Sequence, residues 1–159
     1  MKKIHNTLLA SSLAVTSLAS TAFAGDVETV QTFYDLLSNP GSESLQTTFM
    51  DSTASDWESV GNYSGENKTR EAFLAQVGGF GQMIPDLSWD VQAMHEGGNF
   101  VTVRSRATGT PSGPFFGVDG EGRSFDIMTI DIHELEGGKI VRTYHVEDWA
   151  GALQQLSAR

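Results

Sequence analysis

Residues 109–156 read GTPSGPFFGVDGEGRSFDIMTIDIHELEGGKIVRTYHVEDWAGALQQL. The opening part, Thr110 to Gly122, is rich in Gly and Pro and predicts a loop. Arg123 to Glu134 predicts a long strand, Glu136-Gly137-Gly138 a turn, and Lys139 to Val146 the returning strand. Trp149 to Leu156 predicts a short closing helix. Strand side chains alternate faces. Phe125, Ile127, Thr129, Asp131 and His133 therefore share one face, and Ser124, Asp126, Met128, Ile130 and Ile132 the other. On the next strand Val141, Thr143 and His145 fall together, opposite Ile140, Arg142, Tyr144 and Val146.

Upstream, the period changes. Leu87, Trp89, Val91 and Ala93 alternate as in a half-buried strand. Glu96-Gly97-Gly98-Asn99 predicts a hairpin turn, and Phe100 to Ala107 its partner strand. Before Asp86 the pattern is helical. Val27, Val30, Phe33, Tyr34 and Leu37 recur at helical spacing over Asp26–Ser38, with Asp26 as the expected N-cap. Ser44–Met50 predicts a second short helix, and Ser55–Tyr63 a strand or irregular edge segment. Asn67–Val77 predicts a helix with Ala72, Phe73, Gln76 and Val77 inward, ended by Gly78-Gly79. Helices first, then an antiparallel meander, then one helix, argue α+β in one domain spanning 25–159. A sheet of this kind, curled into a cone, would enclose one cavity for a small molecule.

Residues 1–24 read as a signal peptide: Lys2 and Lys3, an apolar run from Leu8 to Leu18, then Ala22-Phe23-Ala24 as a cleavage site. The run is short for a bilayer span, which takes roughly 20 residues, so no stable membrane anchor is expected. A periplasmic or secreted product is. The chain has 10 Lys and Arg against 20 Asp and Glu, a net charge of −10, and cleavage would remove two lysines and no acid. Such a surface repels phosphate backbones, so no nucleic-acid partner is expected. With no Cys, thiol catalysis, zinc-thiolate sites and disulfides are excluded.

A carboxylate and an imidazole two positions apart, Asp131 and His133, point into one space. In an apolar hollow that pairing can shuttle a proton, although ordinary strand residues show the same spacing. Asp148 is either a proton carrier or the cap of the helix starting at Trp149. Tyr144 and Trp149 either line a pocket or belong to the core, and His145 is either a ligand-contacting or a structural histidine. The histidines are too dispersed to indicate a metal site. The phosphate-binding loop, the nucleophile elbow and the dinucleotide fingerprint are all missing.

Four places resemble one family. Ile84-Pro85-Asp86-Leu87 is similar to its entry to the sheet. Val101-Thr102-Val103-Arg104, then Gly109-Thr110 and Gly113-Pro114-Phe115-Phe116-Gly117, resemble its strand and Gly-rich loop. Ile130-Asp131-Ile132-His133 and Gly138-Lys139-Ile140-Val141 resemble its paired strands. Asp148, Leu153 and Gln155-Leu156 resemble its C-terminal signature. These motifs, spread over roughly residues 27–156, resemble the SnoaL-like polyketide (ester) cyclases of the nuclear-transport-factor-2-like superfamily. The stretch Arg142-Thr143-Tyr144-His145 departs from that family, which usually carries an acidic residue and an aromatic there. Export also departs from the cytoplasmic setting of most polyketide tailoring.

The resemblance implies an α+β cone, a buried apolar pocket and chemistry that needs neither cofactor nor metal. Family cyclases close a ring by an intramolecular aldol reaction, in which one carboxylic side chain moves a proton and a hydrogen-bonded partner assists. Asp148 and Asp131 are then the candidate carboxylates and His133 and His145 the candidate partners. Asn62, Arg104, Tyr144 and Trp149 are the candidate substrate contacts. The ligand expected is a small apolar carbonyl compound. A non-catalytic binding protein for a hydrophobic ligand, and an epoxide-hydrolase-like enzyme with Asn or Tyr, Arg and Asp around one water, are the alternatives. A homodimer is compatible with the apolar character of Trp89 and the outer strand faces.

Overall fold

A computed structural model describes residues 25–158; the expected signal peptide lies outside them. The elements run α1 (Asp26–Ser38), α2 (Glu43–Ser52), β1 (Thr53–Val60), α3 (Arg70–Met83), β2 (Ser88–Gly97), β3 (Phe100–Gly109), β4 (Phe125–Glu136), β5 (Lys139–Glu147) and α4 (Trp149–Ser157). The five strands form one sheet in the order β1-β5-β4-β3-β2. From β2 to β5 every pairing is antiparallel, as the turn signals require. The sheet as a whole is mixed, because β1 joins the free edge of β5 in parallel. The antiparallel meander expected from the sequence is β2 to β5, and β1 differs from it in direction. The difference arises because β1 reaches that edge from the helical half of the chain and not through a hairpin.

Helix starts follow local chemistry. Ser42 and Thr69 accept the backbone N–H of Leu45 and Ala72 and so cap α2 and α3. Helix α1 starts differently: Gly25 holds the cap position without a side-chain bond, and Asp26 is the first helical residue. Its charge there still complements the helix dipole. Gly78-Gly79 does not end α3. The apolar face Phe73, Val77, Phe80 continues through the glycines, so packing outweighs the glycine penalty of about 1 kcal/mol per residue. Within α3, Ala72 faces solvent, and Gln76, though exposed, borders the cavity described below. The helix stops at Met83, where Pro85 disfavours helical backbone at Ile84.

Two bulges reset the inner face of the sheet. On β2, Val91 pairs with Ser105 and Ala93 with Arg104, so Gln92 is extra. The inward position then passes to Met94, which packs on the core. On β5, Arg142 pairs with Glu134 and Ile140 with Leu135, so Val141 is extra. Simple alternation placed Ile140 on the outer face; the bulge turns it inward, where it is fully buried.

The core contains two aromatic groups. Phe33, Tyr34, Phe49, Trp57 and Phe73 pack between the N-terminal helices and the β1/β5 side of the sheet. Phe80, Phe115, Phe125 and Trp149 pack at the other end, with Trp89 against Trp149 and the exposed Phe116 at their edge. Trp89 is buried and donates its indole N–H to Thr129 Oγ1 at 3.2 Å. It therefore does not contribute to an outer, dimer-forming face. That face carries Met128, Ile132 and Val146 instead, all exposed.

Candidate active site

A cavity of about 230 Å³ lies where the two aromatic groups face each other across the sheet. Phe33, Phe73, Phe80, Trp89 and Trp149 supply apolar wall. Asp131, His145 and Glu147 line it from β4 and β5, Ser59 from β1, and Lys68 and Asn62 from the segment after β1. The polar groups are set by register. Across β4 and β5, Thr129 pairs with Glu147, Asp131 with His145, and His133 with Thr143. Each pair lies on the inner face, so three cross-strand polar pairs stand in a row.

Asp131 is 4 % exposed. Burial raises its pKa to about 7, opposed by the hydrogen bond from Tyr34. The Tyr34 hydroxyl is 2.9 Å from Asp131 Oδ2 and 2.9 Å from His133 Nε2. His133 Nδ1 is 3.0 Å from Thr143 Oγ1, which also receives the Trp57 indole N–H at 3.1 Å. Burial lowers the His133 pKa to about 3, so the ring is neutral and carries one N–H. Burial, then the Asp131 charge, holds the Tyr34 phenol protonated.

Donor counting then fixes every proton when Asp131 is ionised. Tyr34 donates its only O–H to Asp131, so His133 Nε2–H donates to the Tyr34 oxygen. Nδ1 is left bare and accepts the Thr143 O–H, and Thr143 accepts from Trp57. The result is a one-way chain, Trp57 to Thr143 to His133 to Tyr34 to Asp131. All its dipoles point at the carboxylate, and no group in it is left unpaired. His133 is thus a positioning residue with both ring nitrogens engaged.

A second set lies beside it. His145 Nδ1 is 2.8 Å from Glu147 Oε1, and His145 Nε2 is 3.0 Å from Ser59 Oγ. Gly61 makes room for the ring: a Cβ there would lie 2.6 Å from His145 Nε2 and 2.7 Å from Cε1.

The remaining candidates divide. Asn62 and Trp149 line the cavity. Asp148 does not: it is exposed, and its Oδ1 accepts the Gly151 N–H at 2.8 Å, capping α4. The helix start decides between its two readings. Arg104 and Tyr144 also lie elsewhere. Strand alternation puts both on the outer face, Arg104 exposed and Tyr144 in a shallow groove with Val60, Ile130 and Ile132. The trio expected of an epoxide-hydrolase-like site is consequently not assembled around Asp131 with Arg104. Tyr34, Ser59, Lys68, Phe116 and Glu147 were missed as site residues. For Glu147 a signal existed: it stands two positions after His145 and so shares its face. Phe116 sits at the cavity mouth in a tight turn closed by mutual Phe115–Val118 backbone bonds, with φ of 45°.

The family model for SnoaL-like polyketide cyclases matches residues 28–156. The chain belongs to the SnoaL-like polyketide cyclase family. Solved SnoaL-like structures share its fold. A SnoaL-like polyketide cyclase from Jannaschia sp. CCS1, described as putative, superposes with a TM-score of 0.75 at 22% identity, covering 90% of this chain and 99% of that one. IdmH from Streptomyces antibioticus, described as a putative polyketide cyclase, gives 0.73 at 24% identity, covering 84% and 99%. A Catenulispora acidiphila protein with a ketosteroid isomerase-like fold, solved with trimethylamine, gives 0.65 at 18% identity, covering 83% and 94%. No curated protein matches the sequence. SnoaL-like family and ketosteroid isomerase-like architecture agree with the α+β reading of the residues.

Proposed function

We propose that this SnoaL-like protein is an exported enzyme of the cyclase or isomerase type. It moves protons on a small apolar carbonyl compound without a cofactor. The observation that carries the reading is Asp131, a nearly buried carboxylate held near neutral pKa in the wall of a cavity lined by aromatic and polar side chains. A base poised near the working pH is what proton abstraction from carbon needs. In this mechanism Asp131 takes the proton from the carbon next to a carbonyl. The substrate's own conjugated carbonyls spread the enolate charge. Tyr34 and His133 hold the carboxylate in one orientation. Ser59 Oγ and His145 Nε2, across from Asp131, exchange a proton with the substrate oxygen. The enolate carbon then attacks a second carbonyl in ring closure, or is reprotonated in isomerisation. Phe33, Phe73 and Trp149 exclude water.

The test is α-proton exchange of a small 1,3-dicarbonyl compound in D₂O, followed by NMR. Asp131→Asn should slow exchange by roughly 10² to 10⁴ while ligand affinity is retained. Equal exchange in both proteins rejects the proposal. Affinity lost with no turnover in either protein would favour the simple binding reading. Export is supported by the form of residues 1–24. It is checked by the N-terminus of protein recovered from outside the cytoplasm, expected at Gly25. The exposed stripe Met128, Ile132 and Val146 supports a homodimer, which sedimentation of wild type against Val146→Glu would read.

A further inference from the structure

Beyond exchanging a proton with the substrate oxygen, Ser59, His145 and Glu147 form a hydrogen-bonded unit of their own. Glu147 accepts the Nδ1–H of His145. When the ring is neutral, this bond selects the tautomer with a bare Nε2, which accepts the Ser59 hydroxyl proton. The order carboxylate, imidazole, hydroxyl, with each side chain oriented by the next, is that of an activated serine nucleophile. It is assembled from two strands, β1 and β5. Ser59 is held on β1 by parallel pairing with Thr143 and by two backbone bonds to Lys68, at 2.9 and 3.1 Å. His145 and Glu147 project from β5, and Gly61 leaves space for the imidazole. All three side chains line the same cavity, which includes Lys68 as its one Lys or Arg.

We infer that Ser59 is a nucleophile and that the cavity accepts acyl groups from small carboxylic esters onto it. Ser59 Oγ attacks the ester carbonyl carbon while its proton passes to His145 Nε2. Lys68, the neighbour of Ser59 across the bridge, supplies positive charge for the oxyanion. The tetrahedral adduct collapses with cleavage of the C–O bond, and Nε2 returns the proton to the departing alcohol. Water then attacks the acyl-serine, its proton taken by Nε2, and the acid leaves as Ser59 is regenerated. One ester and one water give one acid and one alcohol.

The experiment treats the protein with 4-nitrophenyl acetate, and separately with phenylmethylsulfonyl fluoride, and locates the adduct by peptide mass spectrometry. An acetyl or sulfonyl group on Ser59 is expected. Ser59→Ala should carry none, and His145→Asn should acquire it roughly 100-fold or more slowly. The wild-type peptide map is decisive even if Ser59→Ala does not fold. No adduct at Ser59 with either reagent, or undiminished 4-nitrophenolate release from folded Ser59→Ala, overturns the inference. Acylation reads a bond to Oγ and deuterium exchange reads a carbon acid, so either can fail without the other.

Discussion

Asp131 and His145 stand directly opposite one another on neighbouring antiparallel strands, both facing the cavity. Burial is the largest influence on Asp131. The Glu147 charge adds to the rise in its pKa, while the Tyr34 hydrogen bond and the His145 charge oppose it. The carboxylate is thereby left near neutrality and not driven far from it.

The first prediction concerns rate. If the ionised form of Asp131 is the base, kcat/KM for α-proton exchange rises with pH through about 7 and then levels. Asp131→Asn should be slower and lack that rise. Stopped-flow or NMR exchange across pH 5–9 measures both.

Stability should show the same group. Asp131 binds its proton up to about pH 7 in the folded chain, against about 4 when unfolded. Between those values the folded state holds the extra proton, so the contribution of Asp131 is present at low pH and fades as pH rises. The full effect is on the order of 4 kcal/mol. His133 works oppositely: its folded pKa is about 3, so the unfolded chain binds the extra proton below about 6.5 and stability falls on acidification. The two slopes nearly cancel in wild type. Asp131→Asn should therefore gain stability relative to wild type from pH 4 to 7, as read by urea unfolding at several pH values.

Tyr34→Phe removes the link between Asp131 and His133. The Asp131 pKa should rise, because the Tyr34 hydrogen bond lowers it, and the ascending limb of the rate profile should move to higher pH with it. The His133 Nε2–H loses its acceptor, at a cost of about 1–3 kcal/mol. The pH–rate profile and an unfolding curve test the two effects separately.

Asp148→Ala separates a cap from a catalyst. Loss of the Gly151 hydrogen bond should cost about 1 kcal/mol, with exchange unchanged. Asp148→Asn, which can still cap, should restore the stability. A drop in kcat with intact folding would return Asp148 to the site.

Gly61→Ala tests the close approach. The added methyl meets the His145 ring, so the imidazole must turn from Ser59 and Glu147. Acylation of Ser59 should fall by roughly 100-fold, with only a small change in melting temperature.

How much of this was legible follows from distance along the chain. Strand alternation over Phe125–His133 placed Asp131 and His133 on one inner face, because a face is a local property. It failed at Ile140, where one extra residue, Val141, inverts the pattern. For Asp148, Arg104 and Tyr144, family resemblance named the residues but could not orient them. Orientation comes from a cap and from strand parity. Tyr34 and Ser59 could not be read at all. They meet Asp131 and His145 across 97 and 86 residues, respectively, Tyr34 by packing of α1 on the sheet and Ser59 by a parallel strand pairing, neither of which has a short-range signature.

The placement of β1 beside β5 has one further consequence. Ser59 comes from the first strand and His145 and Glu147 from the final one, so a growing or clipped chain that lacks β5 cannot assemble the Ser59–His145–Glu147 unit. Non-local closure of this kind is slow compared with helix formation. That serine unit therefore closes only once β5 has been made and β1 has docked along its edge.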